Sequence, residues 1–379
     1  MNKCPRVVVS LETSTGYGRG LIQGIAKYSR IHGPWTFFFE CGSKDSLFPR
    51  LRDWNPDGII SRDIPHVKQI YSKNIPIIIA NVSLVTSYPH IVSDDKLAGK
   101  MAAEYFLKKG ARQFGYCGFS DFLWGKERGA AFKKNIEEAG YSVYSLLQKR
   151  EEVRKTWGKQ FKVLLDWLKS LPLPIAILCC NDDCARHVIE AANVLEIQIP
   201  EEIAIMGVGN DIVFCDFTNP PLTSIPFSNE QAGYSAAELL HKLMNGERVE
   251  NKIVITHPLG IIERQSTDIL QNTDSDIAKA YYFIKSNARN GIQVRDVAEK
   301  AALSQRSLQI KFKERFKHSV HEEIQLQQME YVIKLLDETN FSIKKIAALS
   351  GFSTSEYMSQ VFHKFKKVCP RDYRRNKPE

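Results

Sequence analysis

The chain has 379 residues, of which 43% are hydrophobic and 10% are aromatic. This composition is enough for two or three folded domains and excludes an intrinsically disordered protein. No run approaches the ~18 consecutive apolar residues of a membrane span. The N-terminus lacks the apolar core and cleavage site of a secretory signal. We therefore expect a cytoplasmic protein without membrane contact.

The eight cysteines are scattered along the chain, several of them in apolar, strand-like runs such as IAILCC. This pattern favours reduced, buried thiols over a disulfide framework. Cys180, Cys184 and His187 could suggest a metal site, but no second ligand pair follows at zinc-like spacing. We therefore predict no metal and no other cofactor.

About the first 270 residues are predicted to alternate strands and helices. The strands are, in chain order, RVVVSLE, WTFFFE, DGIIS, IPIIIANV, FGYCGF, SVYSLL, IAILCC and IAIMGVG. Segments with helical periodicity, such as KLAGKMAAEYFLKKG and CARHVIEAANVLE, separate many of them. Apolar strands in this rhythm predict parallel sheets with helices on both faces. The alternation is too long for one five-stranded unit, so two α/β lobes are expected.

A glycine-rich turn follows the first strand and has to be tested as a nucleotide site. Gly16, Gly18 and Gly20 open a helix, and Glu40 ends the next strand, as in a dinucleotide-binding fingerprint. However, Leu21 stands where the third glycine of the fingerprint belongs, and such glycines often serve backbone geometry alone. An NAD-linked oxidoreductase is therefore kept as an alternative function.

Polar residues follow many of the predicted strands, where ligands of open α/β sheets bind. These residues are Glu12, Thr13, Arg62, Asp63, Asp94, Asp182 and Asn210. Carboxylate, amide and guanidinium groups suit a polyol, and Tyr17 and Trp124 are candidates for an aromatic face. The alternatives are that Asp94 or Asp95 caps a helix and that Trp124 or Tyr17 only packs.

Several segments resemble the effector domain of the LacI/GalR repressors, itself similar to periplasmic sugar-binding proteins. They include VSDDKLAGKMAAEYFLKKGARQFGYCG, ERGAAFKKNI and LCCNDDCARHVIEAANVLEIQIPEEIAIMGVGND. The resemblance implies that residues 1–267 form two lobes joined by three crossovers, with a small effector in the cleft. It further implies that Arg128, Asp182 and Asp94 belong to that cleft.

The chain departs from this family at the end of its last conserved strand. The family usually has an aspartate where this chain has Gly209, so one expected sugar contact is lost or moved. Asn210 remains, and its amide can both donate and accept hydrogen bonds. The identity of the sugar is therefore open.

Most of the excess positive charge lies near the C-terminus. Residues 275–379 contain 20 Lys and Arg against 12 Asp and Glu, whereas the preceding residues contain 32 against 31. After a polar linker at 268–276, the region 277–379 contains two predicted helix-turn-helix motifs, at 294–316 and 343–365. A neutral body with a basic end is typical of a protein that binds double-stranded DNA.

Helical periodicity divides the second helix of each motif into two faces. In the first motif we expect Ser304 to cap the helix and Leu308, Phe312 and Phe316 to face inward. In the second we expect Phe352, Tyr357, Val361 and Phe365 to be buried. The residues expected to face the major groove are Arg306, Gln309, Ile310 and Lys313, then Ser355, Glu356, Ser359 and Gln360. Lys366 is predicted to contact a phosphate.

The basic region resembles the DNA-binding domains of the AraC/XylS family, most clearly from GFSTSEYMSQVFHKF to PRDYRR. The family often has arginine at the positions of Ile310 and Gln360, so the operator sequence cannot be carried over. The domain order resembles that of the xylose operon regulators. This implies an activator that responds to a pentose such as xylose, acts as a homodimer and contacts RNA polymerase. A sugar-binding module without regulatory DNA binding is the second alternative.

Overall fold

The computed structural model describes residues 4–39, 54–62, 75–80, 88–250, 252–268 and 275–375, and the chain divides into two compact units, 1–269 and 270–379. The predicted positions of Glu40 and Asp63 lie outside the described residues. Within those ranges no helix combines the length and the apolarity that crossing a bilayer requires.

The first lobe of the N-terminal unit is built on a six-stranded parallel sheet of order β11-β5-β4-β3-β1-β2. Its strands are β1 (Arg6–Ser10), β2 (Thr36–Phe39), β3 (Gly58–Arg62), β4 (Ile77–Ala80), β5 (His90–Ser93) and β11 (Ile253–Thr256). The central strands are runs of valine and isoleucine that are buried on both faces, as expected for a parallel sheet covered by helices.

The second lobe is built on a five-stranded parallel sheet of order β10-β9-β8-β6-β7. Its strands are β6 (Phe114–Phe119), β7 (Val143–Gln148), β8 (Ile175–Cys179), β9 (Ile203–Gly209) and β10 (Thr223–Pro226). The register runs Phe114 beside Val143 and Ile175 beside Ile203. The prediction of two parallel α/β lobes is confirmed.

Helices follow most of these strands. They are α1 (Gly16–His32), α2 (Asp95–Lys108), α3 (Leu123–Glu138), α4 (Arg150–Lys155), α5 (Trp157–Lys169), α6 (Asp182–Val194), α7 (Ile212–Phe217) and α8 (Asn229–Met244). Helix α1 packs on α8 in the first lobe, and α2 packs on α3 in the second. The side chain of Asn181 accepts a hydrogen bond from the Cys184 amide and so begins α6.

The chain passes between the lobes three times. It leaves the first sheet after β5, returns after β10 to form β11, and then crosses again, so that Ile262 forms a bridge with Ser224 of β10. Because the carboxyl ends of parallel strands meet at one edge of each sheet, the loops after them face the space between the lobes.

The C-terminal unit is helical. Its helices are α9 (Ser275–Asn287), α10 (Val294–Lys300), α11 (Gln305–Phe316), α12 (Val320–Glu338), α13 (Ile343–Leu349), α14 (Ser355–Lys366) and α15 (Pro370–Arg375). Helices α10 and α11 form the first helix-turn-helix, and α13 and α14 form the second. Ser304 caps α11 as predicted, since its hydroxyl accepts a hydrogen bond from the Ser307 amide.

Each half of this unit has its own apolar core, and the long helix α12 contributes to both. Val320 and Ile324 belong to the core of the first half, whereas Met329 and Val332 belong to that of the second. At the boundary lies Gln328, which is 6% exposed. Its Nε2 donates to the carbonyl oxygens of Ala288 at 3.0 Å and Gly351 at 3.1 Å. One amide group thus joins the two halves.

Gly351 is required at this junction for two reasons. Its φ of +76° lies in the left-handed region, and a Cβ there would stand 2.7 Å from the carbonyl oxygen of Ala288. A larger residue would therefore push apart the two carbonyl groups that Gln328 holds.

We predict that Gln328→Leu destabilises the C-terminal unit by about 1–3 kcal/mol, since it leaves two buried carbonyl groups without this donor. Unfolding of the full chain is followed by far-UV circular dichroism. The five tryptophans all precede residue 270, so their fluorescence reports separately on the N-terminal unit. Glu330→Ala, at an exposed position of α12, is the control. Equal stability of the two variants would contradict the role of Gln328.

Candidate effector-binding site and nucleic-acid interface

A cavity of about 470 Å³ lies between the lobes of the N-terminal unit. Its walls come from the carboxyl ends of strands in both sheets and from the helices that follow them. The lining includes Glu12, Ser14, Tyr17, Arg62, Ser93, Trp124, Arg128, Arg150, Arg154, Asn181, Asp182, Asp183, Arg186, Gly209, Asp211, Phe214, Phe227, Asn229 and Thr256. The volume is within the usual range for small-molecule sites.

Arg128 is the most constrained cation in the wall, with 5% of its surface exposed. Its guanidinium donates to Asp95, with Nε at 3.2 Å from Oδ1, and to the carbonyl oxygen of Cys180. The same group lies 5.3 Å from the ring of Trp124 and 5.6 Å from that of Phe227. Burial raises the pKa of the Asp95 carboxyl, an effect that Arg128 opposes. This network positions two aromatic faces at the cavity.

Asp182 begins α6 and is 2% exposed. Its Oδ1 accepts a hydrogen bond from the Ser224 hydroxyl at 2.5 Å, and its Oδ2 accepts one from the Asp211 amide at 2.7 Å. Burial raises its pKa to about 6, although both hydrogen bonds favour the ionised form. The protein therefore holds a carboxyl group at the cavity that titrates near neutrality.

Asp211 connects the two lobes across the cavity. Its carboxylate, which follows β9 of the second lobe, accepts a hydrogen bond from the Gly16 amide of α1 at 2.7 Å. It also forms an ion pair with Arg19 of the same helix at 2.6 Å. Because its own amide is bound by Asp182, a continuous chain of hydrogen bonds runs from the floor of the second lobe to the first.

The glycine-rich turn at the start of α1 serves packing and lobe contact. A Cβ at Gly18 would lie 1.8 Å from the carbonyl oxygen of Glu12, so no other residue fits there. The amide of Gly16, which a pyrophosphate would need, instead donates to the carboxylate of Asp211. That carboxylate would also repel a phosphate at the helix N-terminus.

Four buried polar atoms of lining residues have no hydrogen-bond partner among the described residues: Trp124 Nε1, Arg150 Nε, Asn229 Oδ1 and Thr256 Oγ1. Asn229 is 8% exposed and Thr256 is 0% exposed. Burying such groups without partners costs about 1–3 kcal/mol each. They come from both lobes, so a polar ligand in the cavity would satisfy groups on each side.

The structure places the predicted effector residues in two groups. Tyr17, Trp124, Arg128 and Asp182 line the cavity. Asp94 instead caps α2, accepting from the Leu97 amide at 3.1 Å, which is the alternative foreseen for it.

Asn210 also lies outside the cavity lining. Its backbone has a φ of +49°, and its backbone amide donates a hydrogen bond to the Ser224 hydroxyl at 3.0 Å. Gly209, with a φ of +123°, does line the cavity. A Cβ there would lie 3.1 Å from Asp182 Oδ2, so the missing side chain leaves room beside Asp182.

Sequence reasoning missed Asp95, the partner of Arg128, and many lining residues, among them Asp211, Asn229, Thr256 and the two arginines of α4. Asp211 closely follows the predicted strand IAIMGVG, which is the signal that selected Asp182. Asn229 follows β10 and Thr256 ends β11, and neither of these strands was predicted. Asp95 was considered only as a helix cap, because the partner that explains its burial, Arg128, is 33 residues away.

In the first helix-turn-helix, the outer face of α11 agrees with the prediction. Arg306, Gln309, Ile310 and Lys313 are exposed, with Ile310 at 51%. Leu308 and Phe312 are fully buried on the opposite face. The exposed set offers a guanidinium, an amide and an aliphatic group, which are the group types that read base edges in the major groove.

In the second motif, the predicted inner face of α14 was partly wrong. Tyr357 and Phe365 are 39% and 40% exposed, and Met358 and Phe362 are buried in their place beside Val361. The core of this half buries positions 358, 361 and 362 of α14, whereas the prediction assumed a spacing of four residues at 357, 361 and 365. The Tyr357 hydroxyl accepts a hydrogen bond from Gln325 Nε2 at 2.8 Å, which holds its polar end at the surface.

The outer face of α14 is acidic rather than basic at its beginning, since residues 355–360 contain one glutamate and no lysine or arginine. Glu356 and Gln360 are exposed, and Ser355 and Ser359 are half-buried. The Ser359 hydroxyl donates to the carbonyl oxygen of Ser355 at 2.7 Å. Hydrogen bonds from its own amide and from Ser355 lower the pKa of the Glu356 carboxyl, which therefore stays negative at neutral pH.

Cations surround this helix. Lys344, Arg371 and Arg374 line a groove beside Ser355 and Glu356. The Nε and Nη2 atoms of Arg374 are buried without a hydrogen-bond partner in the described part of the chain. Lys366, near the end of α14, is exposed. Phosphate oxygens are the natural acceptors for such groups.

Comparisons with known proteins agree with this division of the chain. Residues 103–267 match the model of a periplasmic binding protein-like domain, and residues 297–376 match that of a helix-turn-helix domain. The chain is 29% identical to the xylose operon regulatory protein of Escherichia coli strain K12, over 97% of this chain and 96% of that protein. The protein of that name from Haemophilus influenzae is 27% identical, over 98% of both.

A solved structure of the xylose-binding transcription activator xylR matches with a TM-score of 0.81 at 26% identity, and the match covers 100% of each chain. The protein is thus a transcriptional regulator with a periplasmic-binding-protein-like domain and an AraC-type helix-turn-helix domain. The similarity to xylose operon regulatory proteins extends along nearly the whole chain, which has the same order of domains as that type of regulator. The resemblance drawn from the motifs is confirmed, and the oxidoreductase alternative is wrong.

We predict that Asp182→Asn removes a pH dependence of stability. The folded-state pKa of Asp182 is about 6, above its ordinary value of 3.8, so the protonated form is favoured on folding. The stabilisation is complete below pH 3.8 and is lost as pH rises through 6, a difference on the order of 3 kcal/mol. As the pH rises across this range, the free energy of unfolding of the wild type should therefore fall relative to that of the variant.

Urea unfolding at several pH values, followed by tryptophan fluorescence, measures this difference. Asp166→Asn, at an exposed position of α5, is the matched control and should show a smaller change. A pH-independent difference between wild type and Asp182→Asn would contradict the assignment.

Proposed function

We propose that this regulator senses a small sugar in the cavity between its lobes and controls transcription by binding an operator in double-stranded DNA. The observation that carries the sugar proposal is the set of unpartnered buried atoms at Trp124, Asn229 and Thr256. They offer a donor at Trp124, an acceptor at Asn229 and, at Thr256, a hydroxyl that can do both. This set lies next to aromatic rings and suits a ring of hydroxyl groups with apolar faces.

The proposed roles follow from the geometry. Tyr17 and Trp124 contact a face of the sugar ring, and Arg128 and Asp182 lie next to its hydroxyl groups. Asp94 and Asn210, also expected in the site, would act through the backbone by shaping α2 and the turn after β9. Closure around the ligand would be coupled to the contact between Asp211 and α1, since that contact joins the lobes at the cavity.

The names of the relatives support two finer proposals. The curated relatives are named xylose operon regulatory proteins, and the matched structure is described as a xylose-binding transcription activator. We therefore propose a pentose, with xylose as the first to test, and activation through contact with RNA polymerase. A DNA-binding regulator of this kind acts in the cytoplasm.

In the DNA-binding unit, we propose that α11 reads base edges and that α14 mainly holds the backbone. Arg306 and Gln309 are suited to guanine and adenine, and Ile310 to a thymine methyl group, while Lys313 extends this face. On α14 the Ser355 and Ser359 side chains are half-buried. Glu356 and Gln360 remain as possible base contacts, and Lys366 as a phosphate contact.

We expect a pentose to raise the thermal unfolding temperature of the full chain, and isothermal calorimetry to give a single site per chain. Thr256→Val keeps the shape of the side chain but loses its hydroxyl, so it should weaken binding by about 1 kcal/mol. Thr36→Val, at an exposed position of β2, is the control. If no sugar in a panel of pentoses and hexoses binds, the proposal fails.

We expect Gln309→Ala to alter base preference more than Gln360→Ala. A lost base contact should cost about 1–3 kcal/mol and relax specificity at one position. Lys366→Ala should instead weaken binding to all sequences and lower the salt slope by about one. Selection of binding sites from random DNA distinguishes these outcomes. A larger change of preference in Gln360→Ala would reverse the assignment.

We also propose a homodimer formed through the N-terminal unit, because regulators that read repeated half-sites are commonly symmetric dimers. Ile212, Val213 and Phe217 of α7 are 63%, 64% and 83% exposed, and such apolar surface favours association. Light scattering should give twice the chain mass of 43.2 kDa, and Phe217→Ser should weaken the dimer. A monomer at micromolar concentration, with and without sugar and DNA, would contradict this proposal.

A further inference from the structure

Arginine dominates the charged groups that the described residues contribute to the cavity wall. Five arginines of this part of the chain line it: Arg62, Arg128, Arg150, Arg154 and Arg186. The lining carboxylates are Glu12, Asp182, Asp183 and Asp211. The identity of a ligand depends on which of these charges already have partners within the protein.

Most of them do. Arg128 is paired with Asp95 behind the wall, Asp183 with Arg186 at 3.1 Å, and Asp211 with Arg19 at 2.6 Å. These pairs cancel much of the charge that faces the ligand. Asp182 is held by the Ser224 hydroxyl and a backbone amide, and the Glu12 carboxylate accepts the Ser14 hydroxyl at 2.7 Å.

Arg150 and Arg154 stand apart from this pattern. Both belong to the short helix α4, and neither has a carboxylate within 4.0 Å in the described part of the chain. The acidic residues of α4 are used by lysines: Glu151 pairs with Lys155 at 2.7 Å, and Glu152 with Lys149 at 3.4 Å. Two guanidinium groups at the cavity are thus left without a counter-charge.

Arg150 also has an unfilled donor. Its Nε is buried and has no hydrogen-bond partner among the described residues, while its guanidinium lies 5.7 Å from the ring of Phe122. Arg154, four residues later on α4, is exposed at the cavity. Two neighbouring guanidinium groups provide the planar, forked donors that bind carboxylate and phosphate oxygens.

We infer that the effector is an acidic sugar, whose carboxylate or phosphate group is bound by Arg150 and Arg154 of α4. The inference rests on the proposed function and specifies its ligand class. The hydroxyl groups of the sugar would meet Trp124, Asn229 and Thr256. A neutral pentose would fill the polar part of the cavity but leave both guanidinium groups uncompensated, and so would lose the attraction that a partly desolvated charge pair supplies.

The test is isothermal calorimetry on the full chain with four ligands that differ in charge: xylose, xylonate, glucuronate and xylose 5-phosphate. We expect at least one acidic ligand to bind roughly tenfold or more tightly than xylose, a difference of about 1.4 kcal/mol. Its affinity should fall as salt is added, because the attraction is electrostatic. The two sugar acids and the phosphate ester separately test the two sources of the anionic group.

Matched variants locate the charge. Arg150→Gln combined with Arg154→Gln should reduce the affinity for the preferred acid at least tenfold and that for xylose by much less. Lys155→Gln, on the same helix but paired with Glu151, should retain the preference for the acid. Circular dichroism and the unfolding temperature of each variant show whether it is folded.

The outcomes separate this inference from the function on which it rests. If xylose binds as tightly as every acidic ligand, or if the double variant keeps the preference for the acid, the inference is overturned while sugar sensing stands. If none of the four ligands nor any other sugar binds, the proposed function itself fails.

Discussion

The hydrogen bonds that join Asp182, Asp211 and Gly16 are the constraint on which the N-terminal unit depends. They begin at a carboxyl group buried in the second lobe and end at the first amide of α1 in the other lobe. The space beside them is the cavity. A molecule that enters this space meets groups from both lobes, so its binding is coupled to the contact that holds the lobes together. The same hydrogen bonds therefore shape the cavity and hold the two lobes in position.

This arrangement lowers the stability of the folded protein, as its buried polar groups show. Asp182 is ionised less readily than an ordinary aspartate, and the Asn229 Oδ1 and Thr256 Oγ1 atoms have no hydrogen-bond partner among the described residues. A site that is polar, buried and incompletely paired is less stable than an apolar core of equal size. This loss of stability is characteristic of a binding site, because a ligand with complementary groups stabilises the folded state when it binds.

The DNA-binding unit follows a different design. Its two halves have separate cores, and Gln328 of α12 joins them through the carbonyl groups of Ala288 and Gly351. The spacing of the two recognition helices is therefore set by one rigid helix and one buried amide. Their surfaces differ, however: α11 presents long side chains of several types, whereas α14 begins with serines and a glutamate flanked by cations. This difference favours unequal shares in reading the operator.

The sequence by itself determined the fold class and the division of the chain, because strand and helix periodicity, the basic C-terminus and the two helix-turn-helix motifs are local signals. It also placed Arg128 and Asp182 in the cleft between the lobes, and both line the cavity. It did not determine that Asp95 is the partner of Arg128, that Asp211 joins the lobes, or that Met358 rather than Tyr357 is buried. Those facts depend on residues distant in sequence, or on which of two adjacent helical stripes meets a core, and only the tertiary structure decides them.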